Sequence, residues 1–138
     1  MKPLISVFLA LLLCAPAFGQ LGTRLYADIP FPFELTGITL PAGNYTVRLL
    51  PHPMIQNDEP RLGAAFFLSN PWSLERKDEG VRLVFNKYGD RHFLSQVYTT
   101  ANYYQLPKSK QERELVTSRV VAGLRGPEVV VVMLRVVR

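Results

Sequence analysis

The segment that decides the fold is VRLVFNKYGDRHFLSQVYT, residues 81–99. Two runs rich in β-branched and aromatic residues flank Tyr88-Gly89-Asp90, where glycine and aspartate tolerate the positive φ angles of a tight reversal. The pattern predicts a β-hairpin, and this is the longest strand pair that the chain offers. The shorter strands before it and the valine-rich segment after it must therefore be arranged around it.

The residues before this hairpin have the two-residue period of extended chain. Between Arg24 and Leu35 the apolar side chains share one face, while Pro30 and Pro32 lie on the other. Because proline donates no amide hydrogen, this segment is predicted to be an edge strand. The segment Gly37–Val47 predicts a second hairpin, with a turn at Pro41-Ala42-Gly43-Asn44.

After the central hairpin the pattern changes to that of a helix. Ser109-Lys110-Gln111-Glu112 has the spacing of a capping box, in which Ser109 caps an early amide and Glu112 reaches back. One short helix is therefore predicted near residues 110–120. The run Val129–Leu134 is bulky without alternation, which predicts a strand that is buried on both faces inside a sheet.

Seven to nine short strands, closely spaced turns and one late helix predict an all-β fold. It is either an antiparallel β-sandwich or a small β-barrel.

The N-terminus has the pattern of a secretory signal peptide at residues 1–19. Lys2 precedes an apolar stretch, Leu4–Leu13, that is too short to span a bilayer, and small residues follow it. Cleavage after Gly19 is preferred to cleavage after Ala17, which leaves one β-rich domain at 20–138. Leu13 before Cys14 argues against a lipid anchor. The expected location is periplasmic or secreted, with no transmembrane helix once the signal is removed.

Composition limits the possible partners and chemistry. The chain has 16 Lys and Arg against 11 Asp and Glu, a net charge of +5, but the positive charges are scattered among acids. This pattern favours weak contact with anionic envelope polymers or lipid headgroups, and it lacks the dense basic stripe of a nucleic-acid-binding protein. The only cysteine leaves with the signal, so stability must come from burial and sheet hydrogen bonds.

No catalytic constellation stands out. His52 lies between two prolines, and His92 and Ser95 point to opposite faces of a regular strand, which argues against a Ser-His pair. Without cysteine, two separate histidines do not make a zinc site, and Asn57-Asp58-Glu59 is more typical of a solvated loop than of a calcium site. We therefore predict no catalytic residues, no metal site and no cofactor.

Aromatic residues in or next to connections are the remaining candidates for ligand contact. Trp72, Tyr98, Tyr103 and Tyr104 have the amphipathic character that suits sugar faces or protein hot spots. The competing interpretation is that these rings fill the core or cap its ends.

Short motifs spread over residues 27–116 have a recognisable combination: Ala27–Phe33, Leu40–Val47, Leu83–Phe85, Tyr88–Asp90, Phe93–Val97, Leu106–Ser109 and Glu112–Leu115. This combination resembles a group of small exported proteins of soil bacteria, mostly of the acidobacterial kind. The resemblance implies a bacterial envelope or extracellular location and implies no particular activity, and the segment Val120–Arg138 departs from the group.

These observations predict an exported binding or envelope-associated accessory module without a catalytic centre, with an envelope glycan or a protein as possible partner. One alternative is a small glycan hydrolase that uses two carboxylates. Another is a structural subunit that adds its valine-rich strand to a partner sheet. An open sheet edge beside Val129–Leu134 would favour this last alternative.

Overall fold

The computed structural model describes residues 24–50, 52–67, 71–73, 80–100 and 102–137. The predicted signal peptide lies outside these residues and stays a prediction. The described strands are β1 (Arg24–Ile29), β2 (Phe33–Leu35), β3 (Ile38–Leu40), β4 (Gly43–Arg48), β5 (Met54–Asn57), β6 (Ala64–Phe66), β7 (Pro71–Ser73), β8 (Arg82–Tyr88), β9 (Arg91–Tyr98), β10 (Asn102–Gln105), β11 (Glu128–Met133) and β12 (Arg135–Val137), and helix α1 is Lys110–Val121.

The described strands form two separate, mainly antiparallel sheets with one helix, so the fold is the predicted all-β sandwich and not a closed barrel. Sheet 1 has the order β12-β1-β4-β5-β6. Sheet 2 has the order β11-β8-β9-β10-β7, and β2 joins it by pairing with β3 and with β9. The core lies between the sheets, and its largest fully buried side chains are Tyr45, Phe33, Phe67, Phe85, Ile29, Leu40, Ile55, Leu83, Val47 and Val97.

The central hairpin is confirmed. Strands β8 and β9 pair from Tyr88 opposite Arg91 to Arg82 opposite Tyr98, and the register shifts by one residue between Val84 and Phe85, where Ser95 has no partner on β8. Gly89 takes the positive φ of 63° at the first corner of the turn, the position that type II′ turns reserve for glycine. One face of this hairpin packs in the core, and helix α1 contacts part of the other face.

The prediction of an edge strand at residues 24–35 is wrong. Strand β1 lies inside sheet 1 between β12 and β4, and the chain then leaves for sheet 2 as β2. Pro30 and Pro32 lie in the crossing between the sheets, where no ladder needs their amides. The alternation itself persists, because Ile29 and Phe33 are both buried on the core side.

The predicted hairpin at Gly37–Val47 is also wrong. Strand β3 turns back onto β2, with Phe33 opposite Leu40, while β4 crosses to sheet 1. The reversal occurs at Thr36-Gly37, whose φ angles of 49° and 81° are those of a type I′ turn. The sequence did not predict this turn at Thr36, because a β-branched residue is rarely found at positive φ.

The predicted helix is confirmed, but only half of its capping box forms. Ser109 Oγ accepts a hydrogen bond from the amide of Glu112 at 3.2 Å. The Glu112 side chain, instead of reaching back, is buried and accepts from the Tyr88 hydroxyl at 3.0 Å and from Asn86 Nδ2 at 3.1 Å. Helix α1 is therefore attached to the outer face of β8. No helix in the described part of the chain combines the length and apolarity needed to cross a bilayer.

The valine-rich strand lies at the edge of sheet 2, which contradicts its predicted place inside a sheet. Strand β11 pairs with β8 alone, and its two faces differ. Val130 and Val132 are half-buried and pack against the core, whereas Val129, Val131 and Met133 are exposed on the outer face. The chain then passes through the buried Leu134 into β12, the edge of sheet 1.

Candidate functional site

Three side chains form a row across the outer face of sheet 2, which we call the tyrosine row: Arg82, Tyr98 and Tyr103. Tyr98 lies directly opposite Arg82 on one side and Tyr103 on the other. Directly opposed residues of an antiparallel ladder project on the same face. The two tyrosine rings stack with centroids 5.4 Å apart and an interplanar angle of 18°, and Arg82 Cζ lies 3.9 Å from the Tyr98 centroid.

The contacts within the row determine what it can bind. Arg82 and Tyr103 lie on strands on either side of β9, and both pack on the Tyr98 ring. The Tyr98 hydroxyl donates to Gln96 Oε1 at 3.0 Å, and Gln96 Nε2 donates to Gln105 Oε1 at 2.8 Å. The row therefore combines tyrosine rings, a guanidinium and amides, a set that is common at protein contacts.

The other predicted ligand-contact residues are divided between two surfaces. The backbone register places Trp72 of β7 opposite Tyr103, at the end of the row, and its side chain lies outside what the structure describes. Tyr104 lies opposite Val97 and faces the core, with 9% of its surface exposed. Three of the four predicted residues thus share one line across sheet 2, whereas Tyr104 does not. Their contact with a ligand stays a prediction.

The tyrosine row continues into an apolar surface that the sequence analysis missed. Met133 lies directly opposite Arg82, so that Val129, Val131 and Met133, which we call the edge stripe, continue the same outer face. Their exposures of 65%, 49% and 59% are high for large apolar side chains. A run of similar valines gives no periodic signal, which is why the sequence did not distinguish its exposed residues from its buried ones.

The backbone of β11 is open as well. On the side away from β8, no strand pairs with it among the residues that the structure describes. No charged residue and no proline lies between Glu128 and Arg135. Natural proteins usually protect such an edge with charges, prolines or bulges, because it presents free amides and carbonyls to other chains. This edge therefore retains the capacity to accept another strand.

The described acidic side chains mostly have structural partners. Asp58 accepts from Thr46, and in the described residues no three metal-ligating side chains come together. The other partnered acids form the pairs Glu34–Arg91, Glu59–Arg61, Glu114–Lys110 and Glu128–Lys87, in addition to Glu112 with Tyr88 and Asn86.

His92 takes part in packing. Its ring stacks on Phe31 with centroids 3.8 Å apart and an interplanar angle of 11°. Partial burial, followed by the positive charge of Lys87 directly opposite on β8, lowers the pKa of His92, while Asp90 acts in the other direction. The neutral ring is therefore favoured in the folded chain.

Comparisons with protein-family models, with curated proteins and with solved structures found no match to this chain.

Proposed function

We propose that the protein is an exported, non-catalytic accessory module that binds a partner protein of the cell envelope by adding a strand of that partner to β11. The observation that carries the proposal is the open edge of β11 with the edge stripe on its outer face. In strand addition, the main chain supplies the hydrogen bonds and alternate side chains supply the specificity.

The surface beside β11 supports a protein partner. The tyrosine row adjoins the edge stripe through the register of Arg82 with Met133. Tyrosine, arginine and methionine are enriched at protein interfaces, and lysine and glutamate are depleted there. A strand paired with β11 would cover part of the edge stripe, and each 100 Å² of apolar surface removed from water would contribute about 2.5 kcal/mol before the costs of association.

The partnered acids support a role without catalysis. A glycan hydrolase needs one carboxyl group with a raised pKa and a second carboxylate facing it across the scissile bond. Glu112, the buried acid among the described residues, is occupied by Tyr88 and Asn86 inside the fold.

Site-specific photocrosslinking in cells that produce the protein tests the proposal. A photoreactive phenylalanine analogue at Val131 is expected to give a discrete adduct with one partner protein, because this residue would lie against the added strand. The matched control places the same analogue at Thr117, which is exposed on α1. Equal adducts at both positions, or none at Val131, would contradict strand addition.

Val131→Lys provides the complementary loss of function. A lysine at this exposed position is expected to leave the free energy of unfolding within about 0.5 kcal/mol, since the wild-type side chain is already 49% exposed. It is also expected to abolish the adduct formed from a neighbouring photoreactive residue at Val129, because an edge charge opposes strand pairing. Thermal unfolding and the crosslinking yield measure the two effects.

A further inference from the structure

Three arginines that are far apart in the sequence come together on the outer face of sheet 1. Arg24 of β1 lies directly opposite Arg48 of β4, and Arg135 of β12 lies directly opposite Tyr26, two residues after Arg24. Directly opposed residues project on the same face, as do residues two apart on one strand. The pairing of three strands therefore collects positive charges that are scattered along the chain. We call Arg24, Arg48 and Arg135 the arginine cluster.

The charges of the arginine cluster are not neutralised within the described part of the chain. All three side chains are exposed, and none of them forms an ion pair with a described acid. Like charges directly opposite each other, as at Arg24 and Arg48, destabilise an antiparallel pair. Sequences commonly keep such a local conflict where function requires it. An anionic group between the two guanidinium groups would relieve their repulsion.

A shallow depression of about 200 Å³ adjoins this pair of arginines. Arg24 and Arg48 line it together with the polar residues Thr46, Gln56 and Asp58. Asp58 accepts a hydrogen bond from Thr46 Oγ1 at 3.1 Å, and its carboxylate retains the capacity to accept further ones. Sites for a whole small molecule usually measure about 300–1,000 Å³, so this depression suits one unit of a longer ligand.

The mixed lining of the depression distinguishes between classes of anion. A phosphate-rich polymer or membrane surface presents negatively charged acceptors, which the carboxylate of Asp58 would repel. A uronic acid presents a carboxylate for Arg24 and Arg48, and it also has hydroxyl groups that donate to Asp58 and bond to the Gln56 amide. The depression therefore favours an acidic sugar over an anion without hydrogen-bond donors.

We propose that the outer face of sheet 1 binds an acidic polysaccharide, with one uronic-acid unit in this depression. The carboxylate of that unit lies between Arg24 and Arg48, and its hydroxyl groups bond to Asp58 and Gln56. Arg135, the diagonal neighbour of Arg24 across β1 and β12, adds attraction for a neighbouring acidic unit of the polymer. The site lies on sheet 1, so it goes beyond the partner strand proposed for β11 in sheet 2 and does not depend on it.

Affinity measurements with matched oligosaccharides test the contact with the carboxylate. Titration calorimetry compares a hexamer of galacturonic acid with the methyl ester of the same hexamer, which lacks the charges. The wild-type chain is expected to bind the acid at least about tenfold more tightly than the ester, in line with hydrogen bonds to charged groups.

Two pairs of substitutions locate this preference. Arg24→Gln together with Arg48→Gln is expected to remove it without lowering the melting temperature, because the change relieves a contact between like charges. The control with the same net charge is Arg113→Gln together with Arg125→Gln, which are exposed residues on α1 and after its end. This control is expected to keep the preference for the acid.

Asp58→Ala separates a sugar acid from other polyanions by the sign of its effect. It removes an acceptor for sugar hydroxyl groups and is expected to weaken binding of the hexamer about threefold or more. A polyanion held by the arginines alone would instead bind more tightly, because a repelling charge is lost. Free galacturonate is expected to bind at least about tenfold more weakly than the hexamer, since a polymer also meets Arg135.

The proposal is overturned if the wild-type chain does not prefer the acid to the ester, if both pairs of substitutions weaken binding equally, or if Asp58→Ala tightens it. Equal affinities for galacturonate and the hexamer would also overturn it, because that result assigns the depression to a free sugar acid. Arginine-dependent binding to phosphatidylglycerol vesicles without binding of the hexamer would assign the arginine cluster to a membrane surface and overturn the proposal as well.

Discussion

At the scale of single residues, Glu112 shows how a local signal and a tertiary contact compete for one side chain. Its spacing from Ser109 fits a capping box, yet the carboxylate binds Tyr88 and Asn86, which lie 24 and 26 residues away. Burial and then the hydrogen bond to Glu112 raise the pKa of Tyr88 to about 12, in agreement with a phenol that donates its proton. A rule based on neighbouring residues predicts the cap but has no information about this distant donor.

Replacing Glu112 by alanine is expected to lower the free energy of unfolding by about 1–3 kcal/mol, because the buried Tyr88 hydroxyl and the Asn86 amide lose their acceptor. Glu112→Gln keeps an acceptor oxygen and is expected to cost less. The control is Glu114→Ala on the same helix, whose exposed pair with Lys110 contributes less than about 0.5 kcal/mol. Denaturant unfolding measures all three, and equal losses for Glu112→Ala and Glu114→Ala would contradict the contact.

His92 makes the stability of the fold depend on pH. Because its pKa is lowered in the folded chain, the unfolded chain binds the proton more readily. The stabilisation is complete above the unfolded pKa of about 6.5 and is lost as the pH falls toward the lower folded value. The free energy of unfolding is therefore expected to fall between pH 7.5 and 5.5 more in the wild type than in His92→Phe. His92→Leu, which also does not titrate but lacks the ring that stacks on Phe31, should show the same reduced slope. A slope unchanged in both variants would contradict this origin.

At the scale of elements, the turn between β2 and β3 carries strain that the sequence does not reveal. Thr36 has a φ of 49°, where a β-branched side chain is unfavourable, and Gly37 has a φ of 81°. Thr36→Asn is expected to raise the free energy of unfolding by about 0.5–1 kcal/mol, since Asn-Gly is the preferred pair for a type I′ turn. Thermal and denaturant unfolding measure the change.

Alanine substitutions at two glycines should differ in their effect on the free energy of unfolding. Gly37→Ala gives a residue with a Cβ the left-handed backbone conformation that Gly37 adopts. It is expected to lower the free energy of unfolding by about 1 kcal/mol or more. Gly126→Ala, at a position with no positive φ and no atom within 4 Å of the added Cβ, is expected to be neutral or slightly stabilising. Similar effects at both positions would contradict the strain at this turn.

The elements also show which signals in the sequence are reliable. The hairpin at Gly89 and the helix start at Ser109 were predictable because the chemistry that decides them is local. The place of β11 was not predictable in this way, since valine is equally compatible with a buried strand and with an edge whose outer face meets a partner. For the same reason the tyrosines were predicted as candidates, but their alignment in one row required the register of β8, β9 and β10.

At the scale of the whole molecule, the chain passes repeatedly from one sheet to the other. It crosses between β1 and β2, between β3 and β4, between β6 and β7, and between β11 and β12. A two-residue period reports which side chains face the core, and both sheets share that core, so the period is the same before and after a crossing. The fold class was therefore predictable from the sequence, whereas the assignment of each strand to a sheet was not.

The pairing of β1 with β12 has a consequence for how fast the molecule folds. Arg24 lies opposite Val137, so the edge of sheet 1 is completed by residues from nearly the opposite end of the described chain. Pairings between such distant residues pay the entropy of closing a long loop before they gain contacts, and proteins rich in them fold in milliseconds to seconds. A chain of this topology remains incompletely folded while it emerges from the ribosome. Such slow closure is compatible with the export proposed above, because passage through a translocation channel requires an extended chain.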